Sequence, residues 1–271
     1  MATLKFRDKD GAWKYAPSLK FKNGSNVFEI TNGLKYKDEQ GVWHKVNICG
    51  SKSDDGDYPT ISTLATGTTV YLSENGSPAE YMIVHQGLPS DMYDASCDGV
   101  WLLRKDISLE RHWHDSNVND YGNSSLHKYL NNTLLNTFDP AVQSIIKQVK
   151  IPYWNGTGSG GSLATLESGL STKVFLLSAY EVNLGISYIP VGSPLDYFKD
   201  NASRIAYMNG VATNWYLRTP ATHTSTANLT IVGSSGNSIT ITDPTFVRGI
   251  RPAFILPYTV KLDPNTNTII G

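Results

Sequence analysis

Apolar and polar residues alternate in short runs along much of this chain, the period-two signature of half-buried β-strands. Residues 69–72, 80–85 and 100–103 read as short β-like runs, and the apolar run 174–177 reads as a buried strand. Further on, Leu229 and Ile231 alternate with polar neighbours, residues 233–236 can turn, and Ile239 and Ile241 alternate again. That predicts a hairpin with one buried face and one face rich in hydroxyls and amides. A closing strand is expected over residues 247–256. A helical period replaces the alternation in two places. Ser124 can cap a helix carrying Leu126, Tyr129, Leu130 and Leu134 on one stripe. Asp139-Pro140 places a cap before a proline at the first helical position, with Val142, Ile145, Ile146 and Val149 as the apolar face. Ser178 and Glu181 have the spacing of a capping box on a short helix. Strands, then two helices, then a β-rich end give an α+β class.

The N-terminal segment carries a repeat. LKFRDKDGAWKYA at residues 4–16 returns as LKYKDEQGVWHKV at residues 34–46, an offset of 30 that pairs Phe6 with Tyr36 and Trp13 with Trp43. Each copy predicts a hairpin with a charged turn ending in glycine. Two hairpins bury little by themselves, so the module reads either as a docking or oligomerisation element or as a decorated edge of the main domain. The boundaries expected are 1–50 for this module, 51–65 for a polar linker and 66–271 for the main domain. The linker sequence SKSDDGDY, residues 51–58, lacks the alternating ligands and closing Glu of an EF-hand.

Composition narrows the function classes. Of 271 residues, 23 are Lys or Arg and 24 Asp or Glu, a net charge of −1 that argues against a nucleic-acid binder. Charged residues make up 17%, so neutral Ser, Thr and Asn must supply solubility. Between Thr213 and Thr245 the only formal charges are Arg218 and Asp243. The start, MATLKFRDKD, shows no signal-peptide core, and no run approaches the length of a membrane helix. The chain thus reads as made in the cytosol, and an extracellular destination would need lysis or assembly into a particle. Cys49 and Cys97 form no framework, and a single bridge between them is left open.

Catalytic and metal motifs are weak. The GTGSGG loop at residues 156–161 has no Gly-Lys-Ser ending, and neither a Gly-x-Ser-x-Gly elbow nor a His-Glu-x-x-His helix occurs. On a strand, His112 and His114 would share a face, with Asp115 or His127 near, but such pairs are usually solvated. No metal, no cofactor and no enzymatic activity are expected.

Four blocks occur in order: NSSLHKYLN at residues 123–131, VFLLS at 174–178, WYLRTP at 215–220 and GIRPA at 249–253. The set resembles a domain family of unknown function from gut bacteria and their phages, with W-x-L-R-S-P and V-R-P-A blocks. Thr219 and Ile250 stand where that pattern has Ser and Val. The resemblance covers roughly residues 66–258. It implies a C-type-lectin-like fold, shared with formylglycine-generating enzymes and with the variable proteins of diversity-generating retroelements. The cysteine pair that the former use near the C-terminus is absent, as are the E-P-N and Q-P-D loops of calcium-dependent sugar binding. Through the retroelement proteins, the resemblance implies a ligand-binding surface at the polar hairpin: Asn214, Tyr216, His223, Thr224, Asn228, Ser235 and Asn237. Tyr as a flat contact with Ser and Asn as adaptable hydrogen-bonders supports it independently. Arg218 and Arg251 are expected to pin loops through backbone carbonyls, with Trp215, Phe254 and Leu256 in the core. The expected protein is a receptor-binding component of a phage tail or particle, recognising a cell-surface protein or glycan. Homo-oligomerisation, with a trimer as one form, would add avidity. The alternatives are a structural virion or cell-surface component, and a divergent enzyme.

Overall fold

The computed structural model describes residues 58–184, 189–241 and 243–270, with four short strands among the first 57 residues. The chain divides into two units, 1–57 and 58–271. In the first unit, β1 (Lys5–Arg7) pairs with β2 (Trp13–Tyr15), and β3 (Lys35–Lys37) with β4 (Trp43–Lys45). Both pairs are antiparallel, with Lys5 opposite Tyr15 and Lys35 opposite Lys45. Each repeat copy is therefore a hairpin, in the same register.

The second unit is mixed helix and sheet, dominated by β-structure. Its first strands are β5 (Thr69–Glu74), β6 (Ser77–Gln86), β7 (Val100–Arg104) and β8 (Leu109–His112). Helices α1 (Ser125–Tyr129) and α2 (Pro140–Ile145) follow. Four three-residue strands come next: β9 (Val149–Ile151), β10 (Tyr153–Asn155), β11 (Ser162–Ala164) and β12 (Leu170–Thr172). After α3 (Asn201–Arg204) lie β13 (Tyr207–Met208), β14 (Val211–Ala212), β15 (Trp215–Pro220), β16 (Leu229–Val232) and β17 (Ser238–Ile241). The chain ends with β18 (Val247–Ile250), β19 (Ala253–Leu256), β20 (Lys261–Asp263) and β21 (Thr268–Ile270).

Two sheets hold most of these strands, while β9 with β12, β10 with β11 and β13 with β14 pair separately. One has the order β19-β7-β6-β5-β21-β20, the other β17-β16-β15-β18-β8. The expected single strand over 247–256 is two strands, one in each sheet, because Arg251-Pro252 interrupts the ladder. This corner ties the sheets together covalently.

Alternation along the central strands sorts side chains into separate cores. On β6, Met82 and Val84 enter a cluster with Trp101, Phe175, Trp215 and Leu217, while Tyr81 and Ile83 enter another with Phe138, Val142 and Phe254. On β15, Trp215 and Leu217 face the first cluster. Tyr216 faces a third, where Leu126, Leu130 and Leu134 pack on Trp113 and Ile231. Both sheets are thus covered on both faces at their centres.

Several sequence expectations are met, and several need correction. Ser124 caps α1, its Oγ accepting from the His127 N–H at 3.0 Å, and Trp215, Phe254 and Leu256 are buried. Pro140 stands at the first position of α2, but the helix ends at Ile145, and Val149 belongs to β9. The linker expected at 51–65 overlaps the folded unit. Ile61 is buried and its N–H donates to the Val260 carbonyl at 2.8 Å; residues 51–57 lie outside the described residues. The β16–β17 hairpin does not have one polar face along its whole length, because β16 is buried on both sides, Thr230 included. Its exposed polar face is confined to Ser238 and Thr240 on β17, which forms the sheet edge. Among the described residues no helix is long and apolar enough to cross a membrane.

Candidate recognition surface

β15, which leads into the β15–β16 connection, carries one half of a buried ion pair. Arg218 on β15 and Glu181 are both fully buried, with Nη2 2.5 Å from Oε1 and Nη1 2.6 Å from Oε2. The rest of the guanidinium donates to the carbonyls of Leu176 and Pro152 at 2.8 and 3.1 Å. Glu181 also accepts from the Tyr93 hydroxyl at 2.8 Å and the Ser178 N–H at 2.8 Å. Every strong acceptor and donor of the pair is thereby satisfied, the condition under which charges survive burial. Burial opposes the Arg218 charge, but the facing carboxylate outweighs it and leaves the group more basic than usual. Burial and the Glu181 charge push the Tyr93 phenol well above its ordinary range. The Ser178–Glu181 box forms, with Glu181 N–H donating to Ser178 Oγ at 3.0 Å, but it closes a turn rather than a helix.

Asn119 joins loops from three parts of the chain. It is fully buried, and its Nδ2 donates to the carbonyls of Ser225 and Asn228, both at 3.0 Å. Its backbone N–H donates to the Thr226 carbonyl at 2.7 Å, and its Oδ1 accepts from Gly158 at 3.4 Å. Gly158 has φ +46°, and a Cβ there would meet the Ser225 backbone at 3.3 Å, so this glycine permits the close approach. Half-buried Trp154 on β10 completes the join, its indole N–H donating to the Gly158 carbonyl at 3.3 Å. On this face His223, Thr224 and Thr226 are exposed, with Asn228 half-buried.

The seven residues expected at one surface separate into three environments. His223, Thr224 and Asn228 lie in the β15–β16 loop. Asn214, Ser235 and Asn237 lie at the other end of these strands, since Trp215 pairs with Val232 and Pro220 with Leu229. Six residues of strand put the two ends roughly 15–20 Å apart. At that far end Asn214 Oδ1 accepts from the Ser234 N–H at 2.8 Å, and Ser235 Oγ donates to Asn237 Oδ1 at 2.7 Å. Tyr216 is at neither end. It is fully buried, its hydroxyl donates to the Phe246 carbonyl at 2.5 Å, and burial pushes its pKa up to about 12. The surface role for Tyr216 is therefore corrected to a core role: β15 is an interior strand covered on both faces.

Arg251 matches its expected role, donating to the carbonyls of Arg104 and Lys105 at 3.1 and 2.9 Å under the Trp215 ring, 4.7 Å away. Burial pulls its pKa down to about 10. His112 and His114 do not share a strand face, since β8 ends at His112. There His112 Nε2 lies 2.6 Å from Asp115 Oδ1, while His114 Nδ1 accepts from the Asp115 N–H. His127 packs on Tyr121 instead, 5.1 Å between rings. Among the described residues no three His, Cys, Asp or Glu side chains converge as a metal site would require. Cys97 is buried and donates to the Lys150 carbonyl at 3.3 Å, with burial pushing its thiol up to about 12; Cys49 lies outside the described residues.

Asn119, Gly158 and Trp154 carry the join, yet the hydrophobic pattern does not single them out. Glu181 was legible only as half of a capping box. Its partner stood in the WYLRTP block, 37 residues on.

The family model described as "Domain of unknown function (DUF6273)" matches residues 98–258. The match spans more than half of the chain, which therefore belongs to this family, and it takes in Asn119, the GTGSGG loop, Glu181 and the β15–β16 connection. No curated protein and no solved structure matches.

Proposed function

We propose that this chain is a ligand-binding protein with a C-type-lectin-like α+β domain, recognising a cell-surface protein or glycan through its β15–β16 loop face. The observation that carries the reading is the Asn119 join. One buried amide holds the loops at 158 and 225–228 together, presenting a neutral, hydroxyl-rich surface on a rigid support. Preorganised loops bind without a large ordering cost, and short polar side chains adapt their hydrogen bonds to a partner. The blocks WYLRTP and GIRPA, both built into the core, support the kinship with variable proteins of retroelements. In that reading the hairpin repeat docks the chain on a phage tail or particle, and oligomerisation multiplies weak single-site affinity.

Labelled protein binding to whole bacterial cells tests this. Changing His223, Thr224 and Thr226 together to Ala removes side chains that are exposed and support no core contact. The triple variant is expected to fold like the parent and to lose at least about tenfold in binding, as loss of one or two interface hydrogen bonds implies. A second variant, Ser235→Ala with Asn237→Ala, alters the opposite end and is expected to bind like the parent. Equal binding by the triple variant and the parent would move recognition elsewhere. Loss confined to the second variant would place it at the hairpin turn.

A further inference from the structure

The two larger sheets end in four edge strands, β19, β20, β17 and β8, and the edges are not alike. The edge of β19 is covered: Phe175 and Ala253 exchange N–H donations at 2.9 and 2.8 Å, and the Lys147 N–H donates to the Ile255 carbonyl at 2.9 Å. The edge of β20 is covered by the start of the second unit, the Leu262 N–H donating to the Pro59 carbonyl at 3.0 Å. The edge of β8 has no backbone partner among the described residues, but it carries Glu110, Arg111 and His112. Charges of this kind discourage pairing with a foreign strand. β17, with the sequence SITI, is open among the described residues and has no charge. We propose that at this edge a second copy of the chain adds its own β17, antiparallel and related by a two-fold axis.

The alternation of the β16–β17 ladder decides what the edge offers. The Gly233 N–H donates to the Asn237 carbonyl at 2.8 Å, which fixes the phase of the ladder. The peptide groups of Ile239 and Ile241 therefore face Ile231 and Leu229, while those of Ser238 and Thr240 point away from the sheet. Among the described residues the N–H groups of Ser238 and Thr240 and the Thr240 carbonyl have no partner. The Ser238 carbonyl receives only the Asn237 side chain, at 3.5 Å. Both side chains are exposed.

The edge is complementary to itself. With Ile239 on the two-fold axis, Ser238 stands opposite the partner's Thr240, and Thr240 opposite the partner's Ser238. Both are hydrogen-bonded pairs in that register, so N–H···O bonds run in both directions and every outward group of the edge is used. On the exposed face the hydroxyls meet as Ser–Thr pairs, a favourable cross-strand combination. On the other face Ile239, half-buried at the margin of the third apolar cluster, meets the partner's Ile239 in a closely spaced pair. Charge sets no obstacle. Between Thr213 and Thr245 the only formal charges are Arg218, which is buried, and Asp243, which antiparallel pairing sends to opposite ends. A strand from an unrelated protein lacks this matched register, which makes a second copy the occupant. The pairing joins the two five-stranded sheets into one continuous sheet.

Sedimentation equilibrium of the full chain, from micromolar to millimolar concentration, tests the pairing. The mass is expected to rise reversibly to that of two chains. Ser238→Asp with Thr240→Asp sets like charges opposite each other in this register, and is expected to weaken association at least about tenfold. Ser238→Asp with Thr240→Lys sets opposite charges against each other and is expected to restore it. Both side chains are exposed, so both variants are expected to fold like the parent. The pairing needs no ligand at the β15–β16 loop. The His223/Thr224/Thr226 variant should therefore associate like the parent, whatever becomes of cell binding. A monomer at every concentration would leave the edge to another chain or to none, and would overturn the proposal. Equal weakening by the two charge variants, an assembly that neither variant alters, or loss in the loop-face variant would overturn it too.

Discussion

Arg218 shows how a single side chain can be read correctly in kind and incompletely in partner. Its donation to backbone carbonyls was legible from an arginine set in an apolar block. The carboxylate that neutralises it was not, because no local rule links residue 181 to residue 218. The consequence is testable. Glu181→Gln leaves a cation fully buried without its counter-charge, and is expected to cost about 3–5 kcal/mol in denaturant unfolding. Replacing both residues with apolar ones of similar volume, Glu181→Leu with Arg218→Met, is expected to cost less than either single change. Equal or greater loss in the double variant would mean that the carbonyls of Leu176 and Pro152, rather than the charge, set the requirement.

The β16–β17 hairpin was legible as an element. Leu229, Ile231, Ile239 and Ile241 predicted both strands, and the glycines at 233 and 236 predicted the turn. What the pattern concealed was burial of the alternate positions, since Thr230 and Tyr216 look like surface residues in a half-exposed strand. Tyr216 is covered because it shares a face with Leu229 and Ile231 in the third apolar cluster, under α1, whereas Thr230 points to the opposite face, where Trp215, Leu217 and Val232 join the first cluster. The turn is equally constrained. Gly236 has φ +78°, its carbonyl accepts from Arg204 Nε at 2.8 Å, and a Cβ there would meet the Asn201 carbonyl oxygen at 1.9 Å. Gly236→Ala therefore combines backbone strain with a collision against backbone, and is expected to cost about 3 kcal/mol or more in unfolding experiments.

Stability of the folded unit as a function of pH carries the signature of His127. Burial, with a smaller contribution from Lys128, pulls its pKa from 6.5 to about 4. Because the unfolded chain takes up this proton first, stability is full above the unfolded pKa and falls as pH drops toward the folded one. Between pH 7 and 5 the expected loss is about 2 kcal/mol. The depressed carboxyls, Glu80, Asp94 and Asp243, titrate mainly below that window and add most of their own loss at lower pH. Thermal unfolding across pH 5–7, compared with His127→Gln, measures the effect; an unchanged slope in the variant would assign it to other groups.

Local rules determined much of this protein. The α+β class, the paired hairpins of the repeat, the Ser124 cap and the central strands all follow from periodicity and turn chemistry, which act within a few residues. Tertiary structure alone decided which polar residues meet solvent and which loops meet one another. Tyr216 went to the core and Asn214 to the far end of β15 because a strand has two ends and two faces, and only the packing of neighbouring layers chooses among them. Asn119 and Glu181 acquired their roles from partners 37 to 109 residues away, contacts that no short-range pattern encodes.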